Sequence, residues 1–208
     1  MDMDLNSTIR QLIITAPPFL FALTFHELAH GYTAWKLGDP TAKEAGRLTM
    51  NPLKHLDPFG VLAFLIMKIG WAKPVPVNPQ YFRNPRQGML LTALAGPVAN
   101  ILLAVCSVLL LRLFVMLPAL PATLSEPVFA MLAASIWINV MLAVFNFLPI
   151  PPLDGSKVLM GILPPDQAAG YARLEPYGFI LLLILFYMGI IGKVILPIIN
   201  FTVNLMMS

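Results

Sequence analysis

Four long apolar runs dominate this chain, and they restrict it to a fold whose outer surface faces hydrocarbon. Residues 9–37, 89–117, 128–148 and 178–203 each reach the roughly 20 residues that a helix needs to cross a bilayer. Pro17 and Pro18 are expected to kink the first run, and Lys193 and Pro197 interrupt the last. Charged residues make up only 11% of the 208 and hydrophobic ones 58%, whereas an ordinary soluble domain carries about 25% charged residues. The reading is an all-α polytopic membrane protein, a single domain over residues 1–208 with about four full transmembrane helices. The first run is not expected to be a removable signal peptide, because Asp2 and Asp4 precede it and ionisable residues fill its second half. A formal charge of +3, spread over several loops, argues against nucleic acid as a partner. The single cysteine, Cys106, excludes an intrachain disulfide and a Cys-rich metal site, and its apolar setting predicts simple packing.

The first run holds His26-Glu27-Leu28-Ala29-His30. A helix turns about 100° per residue, so His26 and His30 fall on one face, one turn apart, and can offer nitrogens to one Zn²⁺. Glu27 beside them is a candidate general base for a water on that ion. On a soluble helix such a short pattern often means nothing more than surface charge. At membrane depth, burying a carboxylate and two imidazoles costs several kcal/mol unless they are paired or metal-bound, so a functional site is the expectation.

The connections set the topology. A polar, basic loop over 38–57 leads into a short apolar piece, 59–69, which is too short to span comfortably. The alternating prolines of 70–79 then forbid a helix and favour extended backbone, a strand edge or a loop. Lys36, Lys43, Arg47, Lys54, Lys73, Arg83 and Arg86 flank this piece, whereas the connection at 118–127 has only Glu126. The positive-inside rule therefore puts the N-terminus outside and the basic loops in the cytosol. If 59–69 is re-entrant or interfacial, the end of the third full span returns to the side where the first one ends. If it crosses, the two ends lie on opposite faces.

That question matters because a second polar motif follows the third full span: Asn146-Phe147-Leu148-Pro149-Ile150-Pro151-Pro152-Leu153-Asp154-Gly155. A catalytic zinc site usually has three protein ligands, and the chain has one further histidine, His55, in a polar loop that reads as interfacial or structural. Asp154 is the better third ligand, since the prolines unwind the helix just before it. Equally, Asp154 can be read as a helix N-cap with Gly155 as a turn residue.

Together the two motifs resemble the site-2 protease family of intramembrane zinc metalloproteases, which pairs His-Glu-x-x-His with Asn-x-x-Pro-x-Pro-x-Leu-Asp-Gly. Gly96-Pro97-Val98-Ala99-Asn100 is similar to a further element of that family, and the likeness covers a core of residues 19–158. The chain looks like a minimal prokaryotic form, without PDZ or CBS domains. The resemblance implies one catalytic Zn²⁺ on His26, His30 and Asp154, with Glu27 activating water. It implies a multi-pass protein of the inner cell membrane, with its active site near the cytosolic side and transmembrane proteins or peptides as substrates within the lipid bilayer. Asn100 and Asn146, in apolar helices, are candidates to hold substrate backbone or the oxyanion, or else to bond between helices. Asn139 and Lys193 read as helix packing and snorkelling. The extended segment 73–78 either offers an edge on which an unwound substrate pairs or straps the cavity mouth shut. The rival reading is a non-catalytic scaffold or transporter that keeps a structural zinc; Glu27 discriminates, because a structural site has no need of it.

Overall fold

The computed structural model describes residues 5–67, 70–116 and 121–208. The ends of two expected segments, 68–69 and 117, and residues 118–120 of the connection after the second lie outside these. Nine α-helices are present among the described residues: α1 (Leu5–Lys36), α2 (Thr41–Glu44), α3 (Pro58–Met67), α4 (Pro85–Met116), α5 (Ala122–Asn146), α6 (Asp154–Ile162), α7 (Pro165–Ala172), α8 (Glu175–Tyr187) and α9 (Ile190–Met207). Four are long and apolar enough to cross a membrane: α1, α4, the part of α5 from Ser125, and α9. The protein is thus an all-α polytopic membrane protein.

Its centre is a bundle in which α1, α4 and α5 all pack against one another. The buried positions of α4 include Gly88, Thr92, Gly96, Asn100, Ala104, Ser107 and Leu111, a stripe of three- and four-residue steps that lies on one face of a helix. Most of these side chains are small, which lets backbones approach closely where hydrocarbon supplies no hydrophobic drive to association. α1 answers with its own stripe of Ala22, His26, His30 and Ala34. The cross-links fix the directions. His30 meets Thr92 and His26 meets Asn100, while Asn100 meets Asn139 and Ser107 meets Ser135. α4 therefore runs antiparallel to α1 and α5, which run parallel to each other.

The piece at 59–69 does not carry the chain to the other side. Leu56 and Ala72 form an antiparallel bridge, and the Lys73 N–H donates to the His55 carbonyl at 2.9 Å. The backbone leaves and returns through one doorway with α3 as the excursion between. The bridge is isolated, so the proline-rich segment after it is extended without forming a strand among the described residues. As a result the C-terminal end of α1, the N-terminal end of α4 and the C-terminal end of α5 share one end of the bundle. The basic loops lie there too, and Arg10 pairs with Glu126 at the opposite end, 3.7 Å apart.

Two expectations need correction. The apolar stretch at 178–203 is not one element: Gly189, at φ 70°, breaks it into α8 and α9. The left-handed conformation favours glycine because it has no Cβ, and after this break Leu182 of α8 and Ile191, Ile195 and Ile199 of α9 share a core with Val140, Ala104 and Leu153. Cys106 does not pack inside; it is exposed on the outer face of α4, where thiol and hydrocarbon are compatible.

Candidate metal centre

The unwound segment after α5 brings Asp154 to the histidines. The Leu148 N–H donates to the Phe145 carbonyl, Ile150 N–H to Leu148, and Leu153 N–H to Ile150, closing tight turns. A Cβ at Gly155 would lie 2.5 Å from the Leu148 carbonyl oxygen, so only glycine lets the chain double back so closely. The far side is covered by the C-terminal helices. The Tyr171 hydroxyl donates to the Pro149 carbonyl at 2.7 Å, and Gly178 sits so close to Pro151 that an added Cβ would stand 2.5 Å from the proline's own. Asp154 is then the first residue of α6 and Leu153 its N-cap, with no side-chain cap bond, so the N-cap reading of Asp154 does not hold.

Three ligand-type atoms converge. His26 Nε2 and His30 Nε2 are 3.0 Å apart, and each is 3.1 Å from Asp154 Oδ2. All three residues are buried. The other ring nitrogens decide what these atoms are. His30 Nδ1 lies 2.7 Å from the Thr92 carbonyl, which can only accept, so Nδ1 carries the proton and donates. His26 Nδ1 lies 2.6 Å from Asn100 Oδ1 and donates likewise. In neutral imidazoles both Nε2 atoms are then bare lone pairs facing a carboxylate oxygen, with no donor among the three. A cation between them resolves the repulsion. Bonds of about 2.0–2.2 Å to a tetrahedral ion separate its ligand atoms by about 3.4 Å, close to the observed triangle, so the donor set fits a divalent metal ion.

The room for these rings depends on an absent side chain. A Cβ at Gly96 would lie 2.6 Å from both His26 Cε1 and His30 Cε1. Beside the triad is Glu27, also buried, whose Oε2 accepts the Val75 N–H at 3.0 Å. The extended segment that provides this N–H is held along its length. Arg47 donates to the Pro74 carbonyl at 3.1 Å and the Lys73 carbonyl at 2.7 Å, and Asp39 accepts the Asn78 N–H at 2.7 Å. Burial lowers the pKa of the Arg47 guanidinium, with the negative charge of Glu27 opposing that; an arginine starts high enough to stay charged.

A sequence profile of peptidase family M50 matches residues 115–185. Beyond that segment, a Bacillus subtilis protein provisionally named zinc metalloprotease YwhC is 43% identical over 201 residues, spanning 93% of this chain and 88% of its own length. The chain belongs to peptidase family M50. Other relatives carry the same provisional description: Rip2 of Mycolicibacterium smegmatis, 31% identical over 86% of this chain and 68% of its own, and MJ0611 of Methanocaldococcus jannaschii, 31% identical over 74% and 73%. No solved structure matches the chain significantly.

Placed against the sequence, the M50 site has both its motifs in contact. His55 stands apart: its Nε2 donates to the Thr49 carbonyl at 2.9 Å and its Nδ1 faces Arg47 at 3.5 Å, inside the loop that supports the extended segment. Asn100 is fully buried and its amide is engaged on both sides, to His26 on one and to the Ala22 carbonyl and Asn139 on the other. Asn146 is at the end of α5, half-buried, and donates to the Leu142 carbonyl at 3.0 Å. Thr92 and Arg47 were not legible as site residues. Thr92 acts through a backbone carbonyl, which leaves no trace in residue type, and Arg47 looks like any loop cation.

Proposed function

We propose that this M50 protease is an intramembrane zinc endopeptidase that hydrolyses peptide bonds in or near transmembrane segments of other membrane proteins. The carrying observation is the convergence of three ligand atoms, two from α1 and one from Asp154 more than a hundred positions away, with the buried carboxylate of Glu27 next to them. His26, His30 and Asp154 would hold the ion. A bound zinc supplies Lewis-acid polarisation of the scissile carbonyl and acidification of a water. Glu27 would take a proton from the attacking water at its carboxylate and later return it to the leaving amine. A substrate helix must unwind locally, since its carbonyls are already bonded within the helix. The extended segment 73–78, whose Val75 N–H already binds Glu27, offers the edge on which such a strand pairs.

Depth supports a membrane substrate over a soluble one. His30 and His26 precede the end of α1 at Lys36 by six and ten residues, about 9 and 15 Å along a helix axis, within one leaflet of a core about 30 Å thick. The basic loops at that same end support a site on the cytosolic side of the cell membrane. The test is metal content and cleavage together. Wild type is expected to carry one zinc per chain, Asp154→Ala to lose it, and Glu27→Gln to keep the zinc but lose proteolysis. Cleavage retained by Glu27→Gln would favour the structural-zinc scaffold instead.

A further inference from the structure

Beyond the ligands, a directional hydrogen-bond relay runs from α5 through α4 to His26. Asn139 and Asn100 are both fully buried. At its start, Asn139 Nδ2 donates to the Ser135 carbonyl at 2.9 Å, with Ser135 Oγ at 3.3 Å. Asn139 Oδ1 accepts from Asn100 Nδ2 at 2.9 Å, and Asn100 Nδ2 also donates to the Ala22 carbonyl at 3.2 Å. Asn100 Oδ1 then accepts from His26 Nδ1.

An amide can be placed in two ways by a half-turn, and here its neighbours choose. A backbone carbonyl only accepts, so the Ser135 carbonyl requires the NH₂ of Asn139, which turns its Oδ1 towards Asn100. That oxygen and the Ala22 carbonyl both require the NH₂ of Asn100, which turns its Oδ1 towards His26. His26 must in consequence carry its ring proton on Nδ1 and leave Nε2 bare at the triad. Reversing Asn100 would press its oxygen against two acceptors, offer an NH₂ to His26 Nδ1, and move the ring proton to the nitrogen that has to bind the metal.

We infer that Asn139, with no contact to any ligand atom, is a positioning residue for His26: acting through Asn100, it fixes the tautomer in which Nε2 is available to the metal. This rests on the reading of His26 as a ligand. Partners that fix a ligating imidazole are worth about 10–100-fold in metal affinity. Asn139 acts one step further out and shares the restraint with Ala22, which places its effect at the lower end, about tenfold.

The experiment is a zinc competition titration on the full-length protein in detergent, for wild type, Asn139→Leu, Asn139→Asp and Ser107→Ala. Leucine removes the acceptor that holds Asn100. A buried aspartic acid, neutral in this apolar setting, presents an O–H to Ser135 and a C=O to Asn100 and so keeps the polarity. Ser107→Ala cuts an α4–α5 bond of 2.8 Å to Ser135 without altering the direction of the relay. About tenfold weaker zinc binding by Asn139→Leu, with Asn139→Asp and Ser107→Ala within threefold of wild type, is the expected result. Equal losses in Asn139→Leu and Ser107→Ala would reduce Asn139 to packing and overturn the inference, as would unchanged affinity in Asn139→Leu. If Asn139→Leu fails to fold, nitrogen-15 spectra of histidine-labelled, zinc-loaded wild type decide: His26 protonated on Nδ1 and metal-bound through Nε2 supports it, and the reverse refutes it. Failure of the metal reading itself is distinguishable, because wild type would then bind no more zinc than Asp154→Ala.

Discussion

Gly96→Ala is the sharpest test of how the metal centre is built, because it adds one methyl group to the cavity and changes no ligand. The new Cβ would begin 2.6 Å from both imidazole Cε1 atoms and nearer still to the ligand nitrogen His30 Nε2, where ordinary contact starts at 3.4 Å. Something has to give by about 0.8 Å, whereas metal sites tolerate ligand errors of about 0.2 Å. The backbone of α4 cannot retreat freely, since Thr92 and Asn100 on the same face hold the two rings. Overpacking of this kind costs about 1–3 kcal/mol, and charged to metal binding it weakens zinc roughly 5- to 150-fold. Alanine in place of a helical glycine works the other way on the helix, adding about 0.5–1 kcal/mol of stability. The expected signature is therefore split: the metal-free variant melts within a few degrees of wild type, while the rise in Tm on adding zinc shrinks or disappears. Competition titration gives the affinity and circular dichroism the melting. Zinc affinity within twofold of wild type would refute the reasoning, because the rings would then have room that the packing denies them.

Other perturbations separate the parts of the site. Val75→Pro removes the N–H that Glu27 accepts; cleavage of a reporter transmembrane substrate should fall about tenfold or more with zinc content intact, and normal cleavage would sink the involvement of this edge. Arg47→Met strips the donors from the Lys73 and Pro74 carbonyls, and hydrogen exchange over 70–79 should accelerate at least tenfold, consistent with about 1.5–3 kcal/mol for bonds from a charged group. Gly189→Ala forces a Cβ into a left-handed turn and should lower stability by about 1 kcal/mol, read as a lower Tm with no change in zinc affinity.

The residues that converge at the candidate site were largely legible from sequence because each broke a strong local rule. Two histidines and a glutamate in hydrocarbon need a reason, and so does an aspartate after a run of prolines that frees backbone groups. The spans were legible for the same cause, since hydropathy over about 20 residues has few other meanings. What stayed hidden depends on contacts between distant elements. Gly189 in an apolar stretch looks like any membrane glycine until φ is known. Gly96 stands out only as part of a Gly-Pro element, and its distance to two imidazoles is what shows that a side chain there would meet the candidate metal site. Asn139 looks like an interhelical bond, and it is one; its direction becomes visible only when the acceptors at both ends of the relay are known.

The excursion at α3 is where sequence and structure depend on each other most. Length and charge favoured a piece that enters and returns, and the bridge between Leu56 and Ala72 shows the backbone doing so. The consequence reaches the chemistry through parity. With α3 uncounted, the chain crosses once in α1, back in α4 and again in α5, so the end of α5 returns to the end of α1 and Asp154 can meet His26 and His30. One more crossing would leave a carboxylate and two imidazoles buried on opposite leaflets, each without a partner and each costing several kcal/mol. The same return delivers the proline-rich segment to Glu27, so a single non-crossing hairpin both completes the triad and brings Val75 against the carboxylate beside it. A topology in which α3 crossed would have to lose both contacts together, which makes labelling of residues on either side of α3 from one face of the membrane a direct check: Asn51→Cys and Gln80→Cys should react with a membrane-impermeant thiol reagent from the same side, with Cys106 replaced beforehand, and reaction from opposite sides would dissolve the site as described.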